Sequence, residues 1–508
     1  MQDEPSALNE PIPPGDGPLW RVARHLGVYS VGSAISLVAS FALLPVYATQ
    51  FSPGQFGVVA TGQVISVFAI TLARLGLASG MFRFLAVYHA EGDAGGADRV
   101  VTTSLAAAVL SSLVVTLVML GGWAALGSGS SPDVQLSGTL IAANVVASAP
   151  AEMAIFAFRA KQQSVSYVVL TSVTTVLTVI LTIALVMLFH GGVVAVFSSA
   201  LIANSLASLA GLIALRQHLK IGAFSRQELR QALRFGVPGV PALLADWVMQ
   251  FSDRLFLTRF AGLAQVGIYS LGYRIGMIEQ QVLGTATQAA WDPFVLSEYR
   301  ATDGARTIGR VATYFAIVGM ALVLLISASA PILLMLINAR SEYFAATPVV
   351  FLIAFANFFA AMQHLLAAPT SIRLRPELNL LFRGLGAVVN IILNVALILN
   401  FGMLGAAWST VVTFVFTAVV TDVVSRRLFR IAYEYRKLLL IVAGGVLVQV
   451  CLDLAQRSGI FLLTGSSPLW SMALFAGWIL VTRTFSLEEV RALVRRLRRT
   501  PSAVPEEG

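Results

Sequence analysis

Charge is scarce in this chain, cysteine nearly absent, histidine sparse and long polar stretches missing; each shortage excludes something. Asp, Glu, Lys and Arg make up 12% of the 508 residues, against roughly 25% in a soluble domain. With 57% hydrophobic residues and a mean hydropathy of +0.81, the chain cannot present an aqueous surface all round and reads as an integral membrane protein. Cys451 is the one cysteine, which excludes an internal disulfide framework and a cysteine-rich metal site. The histidines, His25, His89, His190, His218 and His364, show no HExxH or HxxxH spacing, so no metal site is expected. The longest polar connection, residues 216–236, leaves no room for a soluble catalytic domain.

What is abundant is apolar sequence in runs of about 20 residues, the length of a spanning helix rather than of an alternating barrel strand. Fourteen such helices are expected, near 26–49, 57–88, 100–124, 138–159, 166–189, 193–214, 237–260, 267–292, 309–329, 346–369, 379–400, 404–424, 438–455 and 467–485. In alternate connections between them, every Lys and Arg except Arg340 and Arg457 falls on one side. Basic loops face the cytoplasm, so both termini are expected there. The net charge of +9 is thereby explained without a nucleic-acid partner. The acidic, proline-rich opening MQDEPSALNEPIPPGDGPLW lacks a signal peptide's basic start and short apolar core, and reads as a disordered cytoplasmic tail. Residues 216–236 and 488–499 interleave apolar and arginine positions, which suits either a helix lying on the inner leaflet or an ordinary connector.

The chain also resembles itself at an offset of 210: Gln55 with Gln265, Gly57 with Gly267, Gly62 with Gly272, Ile65 with Ile275, Gly192 with Gly402 and Ser199 with Ser409. Six helices per copy is an even number, so both copies run the same way through the membrane. The expected architecture is an all-α polytopic protein of two six-helix lobes related by a pseudo-two-fold axis along the membrane normal, with two helices appended. The divisions are a tail at 1–20, an N-lobe at 21–215, a linker at 216–236, a C-lobe at 237–424, the last two helices at 425–485 and a basic tail at 486–508. Transporters of this build bind substrate between their lobes and alternate access by rocking them.

Several charges fall inside the apolar runs, where each costs roughly 2.5–3.5 kcal/mol near a helix centre. On the seventh helix Asp246, Gln250 and Asp253 lie on one stripe beside Arg254; the eighth carries Tyr269, Tyr273, Arg274, Glu279, Gln280 and Gln281; the eleventh aligns Arg383, Asn390 and Asn394. Arg74 on the second helix, Glu152 on the fourth, and Arg83 and Arg259 near helix ends, where they read as snorkelling anchors, complete the set. Arginine grips phosphate through a fork of donors, whereas Tyr, Gln and Asn suit sugar hydroxyls. Arg74, Arg254, Arg274 and Arg383 are candidates to hold an anionic group, with Tyr273, Gln280, Gln281 and Asn390 on a glycan; equally, Asp253 and Arg254 can neutralise each other, or Arg274, as a structural network. Glu152, Asp246, Asp253 and Glu279 are candidates for coupling to H+ or Na+. No catalytic residue, metal or other cofactor is expected.

At DRLFLTRFAGLAQVGIYSLGYRI (253–275) the sequence resembles the oligosaccharide flippases, the Wzx-like polysaccharide biosynthesis and export proteins; LLPVYATQFSPGQFGVVAT (43–61) and GLASGMFRFLAVYHAEGD (76–93) are similar to that family's opening. The resemblance covers roughly residues 20–485. It implies membership of a superfamily shared with lipid II flippases and multidrug extruders, and location in a bacterial inner membrane. It further implies an undecaprenyl-pyrophosphate-linked glycan as cargo, membrane lipids as surroundings and a central cationic cavity, matched here by Arg274 and the Asp253–Arg254 pair. Polysaccharide polymerase or chain-length machinery is an open question as a partner. Two rivals stay in view: a cation-coupled multidrug extruder of the same architecture, and a membrane glycan polymerase or acyltransferase. The second would need a catalytic His or carboxylate pair at a membrane surface.

Overall fold

The computed structural model describes most of residues 32–484, leaving out 33, 36, 37, 40, 127, 128, 130, 376 and 459–466. The expected N-terminal tail and the 488–499 helix lie outside the described residues. Among those described, all regular structure is helical. Nine helices among the described residues are long and apolar enough to cross a membrane, and Ser467–Val481 is a shorter apolar one. Their outward faces explain the medium they need. The spanning window of Ala94–Ala125 has mean hydropathy 2.2 with 22% of it buried, and Leu110, Val114, Leu117 and Val118 point away from the protein. In water that face would be untenable; in lipid it is the favourable one.

The chain forms two compact units, Met1–Phe51 with Val58–Leu244, and Ser52–Gly57 with Ala245–Gly508. The first contains α1 (41–50), most of α2 (Pro53–Arg74), α3 (Leu77–Glu91), α4 (Ala94–Leu126), α5 (Pro132–Ala160), α6 (Ser164–Met187), α7 (Gly192–Leu215) and α8 (Arg226–Gly236). Leu77, Met81 and Leu85 of α3 pack with Val100 and Val101 of α4 and with Met153, Ala154 and Ala157 of α5. Small residues at such contacts let helix backbones approach where no aqueous hydrophobic force drives association.

The second unit holds most of α9 (Val240–Phe260), then α10 (Leu263–Gly276), α11 (Thr285–Glu298), α12 (Gly304–Leu336), α13 (Thr347–Leu366), α14 (Ala368–Ile372), α15 (Glu377–Leu428), α16 (Tyr435–Arg457) and α17 (Ser467–Val481). Within α15, Gly402 at φ 54° divides the eleventh expected helix from the twelfth.

Two expected helices are each broken. The run 57–88 divides at Leu75 (φ 46°) and Gly76 (φ 73°), so Arg74 ends a helix instead of lying inside one. The run 267–292 divides after Gly276; Gln280–Gly284 is π-helical before α11 begins. Hydropathy does not register the first break, which lies between apolar residues, and the polar residues at the second, Arg274 to Gln281, read as readily as one face of a continuous helix.

The offset of 210 has structural counterparts. Gly192 and Gly402 both take positive φ, 55° and 54°. Seven residues on, Ser199 donates to the Val196 carbonyl at 2.8 Å and Ser409 to that of Ala406 at 2.9 Å. A Cβ on Gly57 would stand 1.9 Å from the Leu263 carbonyl oxygen, and one on Gly267 would stand 1.9 Å from that of Pro53.

Candidate functional site

Arg74 closes α2, where the last carbonyls of a helix favour a cation, and it pairs with Glu152 of α5. Glu152 lies two residues beyond Pro150, inside α5. The pair is 35% and 19% exposed, so a ligand can reach the guanidinium. In the second unit Arg383 of α15 pairs with Asp246 of α9, again partly exposed. Both pairs join residues expected separately as anion binders and coupling acids, and each joins two helices.

Asp253 and Arg254 are a different case, with exposures of 2% and 6%. Tyr269 donates to Asp253 Oδ2, and Arg254 Nη1 donates to Asp253 Oδ1 at 3.1 Å and to the Gln250 carbonyl at 2.9 Å. Tyr273 lies against the guanidinium with its ring centroid 4.0 Å away, and donates to the Gln250 carbonyl at 3.2 Å. The network ties α9 to α10, and in this arrangement Arg254 and Tyr273 are engaged with protein groups. Asn390 is likewise enclosed: it donates to Thr413 Oγ1 at 3.3 Å, and its carbonyl accepts from Asn394 at 2.9 Å and Ser252 at 3.2 Å. The stripe read along the eleventh helix thus separates into a buried amide cluster and an accessible Arg383.

Arg274, six residues before the π-helix, is partly exposed and lies 5.6 Å from the Phe56 ring centroid. Gln280 and Gln281 belong to the π-helix itself and are partly exposed. Glu279, immediately before it, is fully buried, and neither carboxylate oxygen has a hydrogen-bond partner among the described residues. An ionised carboxylate so placed would be very costly, whereas a protonated one is tolerable. Among the described residues there is no cluster of His, Cys, Asp and Glu able to hold a metal.

One cluster escaped the sequence reading. His218 Nδ1 lies 2.8 Å from Asp98 Oδ1, Lys220 pairs with Asp98 Oδ2, and Lys161 Nζ contacts His218 Nε2. Thr102 Oγ1 donates to the His218 carbonyl at 2.8 Å. Burial holds the Lys161 ammonium below its ordinary pKa, with Asp98 opposing. The cluster fastens the 216–225 connection to α4 and α5, and its members are too far apart in sequence for spacing to reveal it. Beyond it, Ser225 caps α8 by accepting from the Glu228 amide at 3.3 Å, which satisfies one of the helix's free amide donors.

Comparison with known proteins places these features in a family. The profile described as polysaccharide biosynthesis protein matches residues 22–300, more than half the chain. The chain belongs to that family. No curated protein matches it in sequence. Among solved structures, the lipid II flippase MurJ in an inward closed conformation aligns with TM-score 0.70 and 12% identity over 91% of this chain and 99% of that one. An inward-facing multidrug resistance MATE family transporter of the MOP superfamily aligns with TM-score 0.65 and 18% identity over 77% and 94%. An outward-facing one gives 0.58 and 16% over 82% and 98%. At these identities the likeness is one of fold. This polysaccharide biosynthesis family member is a multi-pass membrane protein with the fold of MOP-superfamily transporters.

Proposed function

We propose that the chain flips an undecaprenyl-pyrophosphate-linked oligosaccharide from the cytoplasmic to the periplasmic leaflet of a bacterial inner membrane, with both termini in the cytoplasm. The cargo feeds surface polysaccharide assembly: O-antigen, capsule or exopolysaccharide. The observation that carries this reading is the pair of accessible arginine–carboxylate contacts, Arg74–Glu152 and Arg383–Asp246. A pyrophosphate carries more charge than a carboxylate and accepts the guanidinium fork at least as well, so it competes for each arginine and displaces the acid. Displacement frees a carboxylate and loosens a contact between two helices. Cargo binding is thereby linked to a change in helix packing, the differential interaction that any ligand-driven switch requires.

Arg274 is a further partner for the pyrophosphate, and Gln280 and Gln281 are sugar contacts. Arg254 and Tyr273 reach cargo in a state where the Asp253 pair has opened; closed, they hold α9 on α10. Asn390 follows the same rule. Glu279 is the coupling site for a proton: protonated when buried, it releases its proton when the π-helix rearranges to admit water. The polyprenyl tail stays in lipid throughout, and no covalent bond of the cargo changes.

The fold likeness to multidrug MATE transporters favours one alternative, a cation-coupled extruder. Purified protein in liposomes separates the two. A lipid-linked oligosaccharide with a fluorescent glycan should cross from one leaflet to the other, read as loss of quenching by an external reductant, and Arg74→Ala should slow it. Absence of flipping together with efflux of a lipophilic cation would establish the extruder.

A further inference from the structure

Away from the carboxylate-paired arginines, a second basic site lies in the first unit at the end of α5. Arg83 of α3 sits over the Phe235 ring, 4.7 Å from its centroid. Arg159, the penultimate residue of α5, sits 5.7 Å from the Phe82 centroid and 5.5 Å from that of Phe156. These residues, with Ser79 and Ala86, line one cavity of about 600 Å³. Several other arginines near the span ends are paired with acids, among them Arg74 with Glu152, Arg383 with Asp246 and Arg426 with Asp422. Among the described residues, Arg83 and Arg159 have ring contacts and no acidic partner.

The chemistry of that arrangement is specific. A guanidinium lying on an aromatic face uses its π surface for the ring and keeps its in-plane N–H donors for another group. Two such groups around one cavity, with no carboxylate to neutralise them, make a site for an anion with several acceptor oxygens. The rest of the lining is mostly apolar, and two of its rings, Phe82 and Phe235, are exposed, so the anion must carry a hydrophobic body. The α8 wall is fixed in place. Gly236 meets Gly76 backbone to backbone, where a Cβ on Gly236 would stand 2.0 Å from the Gly76 carbonyl oxygen, and Glu228 accepts from Tyr88 at 2.9 Å.

We infer that the Arg83–Arg159 cavity binds the phosphate headgroup of an anionic membrane lipid, with the lipid chain lying along Phe82 and Phe235. This site is separate from the Arg74 and Arg383 pairs and stands whether or not the protein flips glycan. Two sources supply the same chemistry, a bilayer phospholipid such as phosphatidylglycerol and a polyprenyl phosphate carrier.

Native mass spectrometry of the purified full-length protein, titrated separately with phosphatidylglycerol, undecaprenyl phosphate and phosphatidylcholine, tests it. The wild type should retain at least one anionic lipid well above phosphatidylcholine, and Arg83→Ala/Arg159→Ala should lose that excess by about tenfold, the effect of about one charge-assisted contact. Preference for phosphatidylglycerol assigns the site to bulk lipid; preference for undecaprenyl phosphate assigns it to the carrier. Ser79→Glu keeps both arginines and places a carboxylate in the cavity; it should abolish the excess as well, so the inference does not hang on one variant's folding. Equal retention of phosphatidylcholine, or anionic binding unchanged in a folded Ser79→Glu protein, overturns it.

Discussion

Gly57 and Gly267 occupy mirrored positions in one contact: the missing side chain of each makes room for a carbonyl of the other's helix start, Leu263 for Gly57 and Pro53 for Gly267. All four positions obey the 210-residue offset, so the contact maps onto itself under the repeat. An added methyl at 1.9 Å from a backbone oxygen cannot be absorbed by a rotamer change. Gly57→Ala and Gly267→Ala should each destabilise the protein by at least about 1–3 kcal/mol, read as a lowered midpoint in detergent thermal melts. Gly54→Ala, three residues earlier with nothing within 4 Å, should leave the midpoint where it is.

The Arg74–Glu152 pair can be tested by exchange. Glu152→Ala leaves a partly exposed arginine and should cost little stability. The double variant Arg74→Glu/Glu152→Arg should keep the ion pair and the folded protein while moving the cation to another helix. Flipping should then remain at least about tenfold down, since the pyrophosphate loses a charge-assisted contact of roughly 1.5–3 kcal/mol. Full transport by the exchanged protein would show that the pair is structural only.

Buried acids should divide into two kinds. Asp253→Ala removes the partner of an enclosed Arg254, a loss of about 3–5 kcal/mol for a broken buried pair, and should be seen as poor expression or a sharply lowered melting midpoint. Glu279→Gln replaces a neutral acid by a neutral amide and should leave the melt nearly unchanged. Its effect should appear in transport: flipping by the variant should lose its response to an imposed pH gradient.

Asp98 anchors the 216–225 connection through His218 and Lys220. Asp98→Asn should release that connection without disturbing the spans. Limited trypsin digestion should then cut at Arg216 or Lys220 faster than in wild type, while circular dichroism stays constant.

The repeat, the apolar runs and the residues of the arginine–carboxylate pairs are legible in the sequence, because composition and 3.6-residue periodicity report what each helix buries. The pairings are not. Arg74 with Glu152 and Arg383 with Asp246 join positions far apart in the chain, and one stripe such as Arg383–Asn390–Asn394 turns out to serve two environments. Both helix breaks were hidden: Leu75–Gly76 turns the backbone between apolar residues, and the polar residues leading into Gln280–Gly284 read as one face of a continuous helix. Arg83 and Arg159 read as ordinary charges at helix ends until the rings beneath them are seen.

Flipping itself is tested most directly in cells, by measuring undecaprenyl-linked glycan and surface polysaccharide in a strain lacking the gene. The expected result is lipid-linked glycan accumulating inside with surface polysaccharide lost, reversed by wild type and by Gly54→Ala but not by Arg74→Ala at matched protein levels. Unchanged lipid-linked and surface glycan, in a strain with no second flippase, would contradict it and leave the extruder reading in its place.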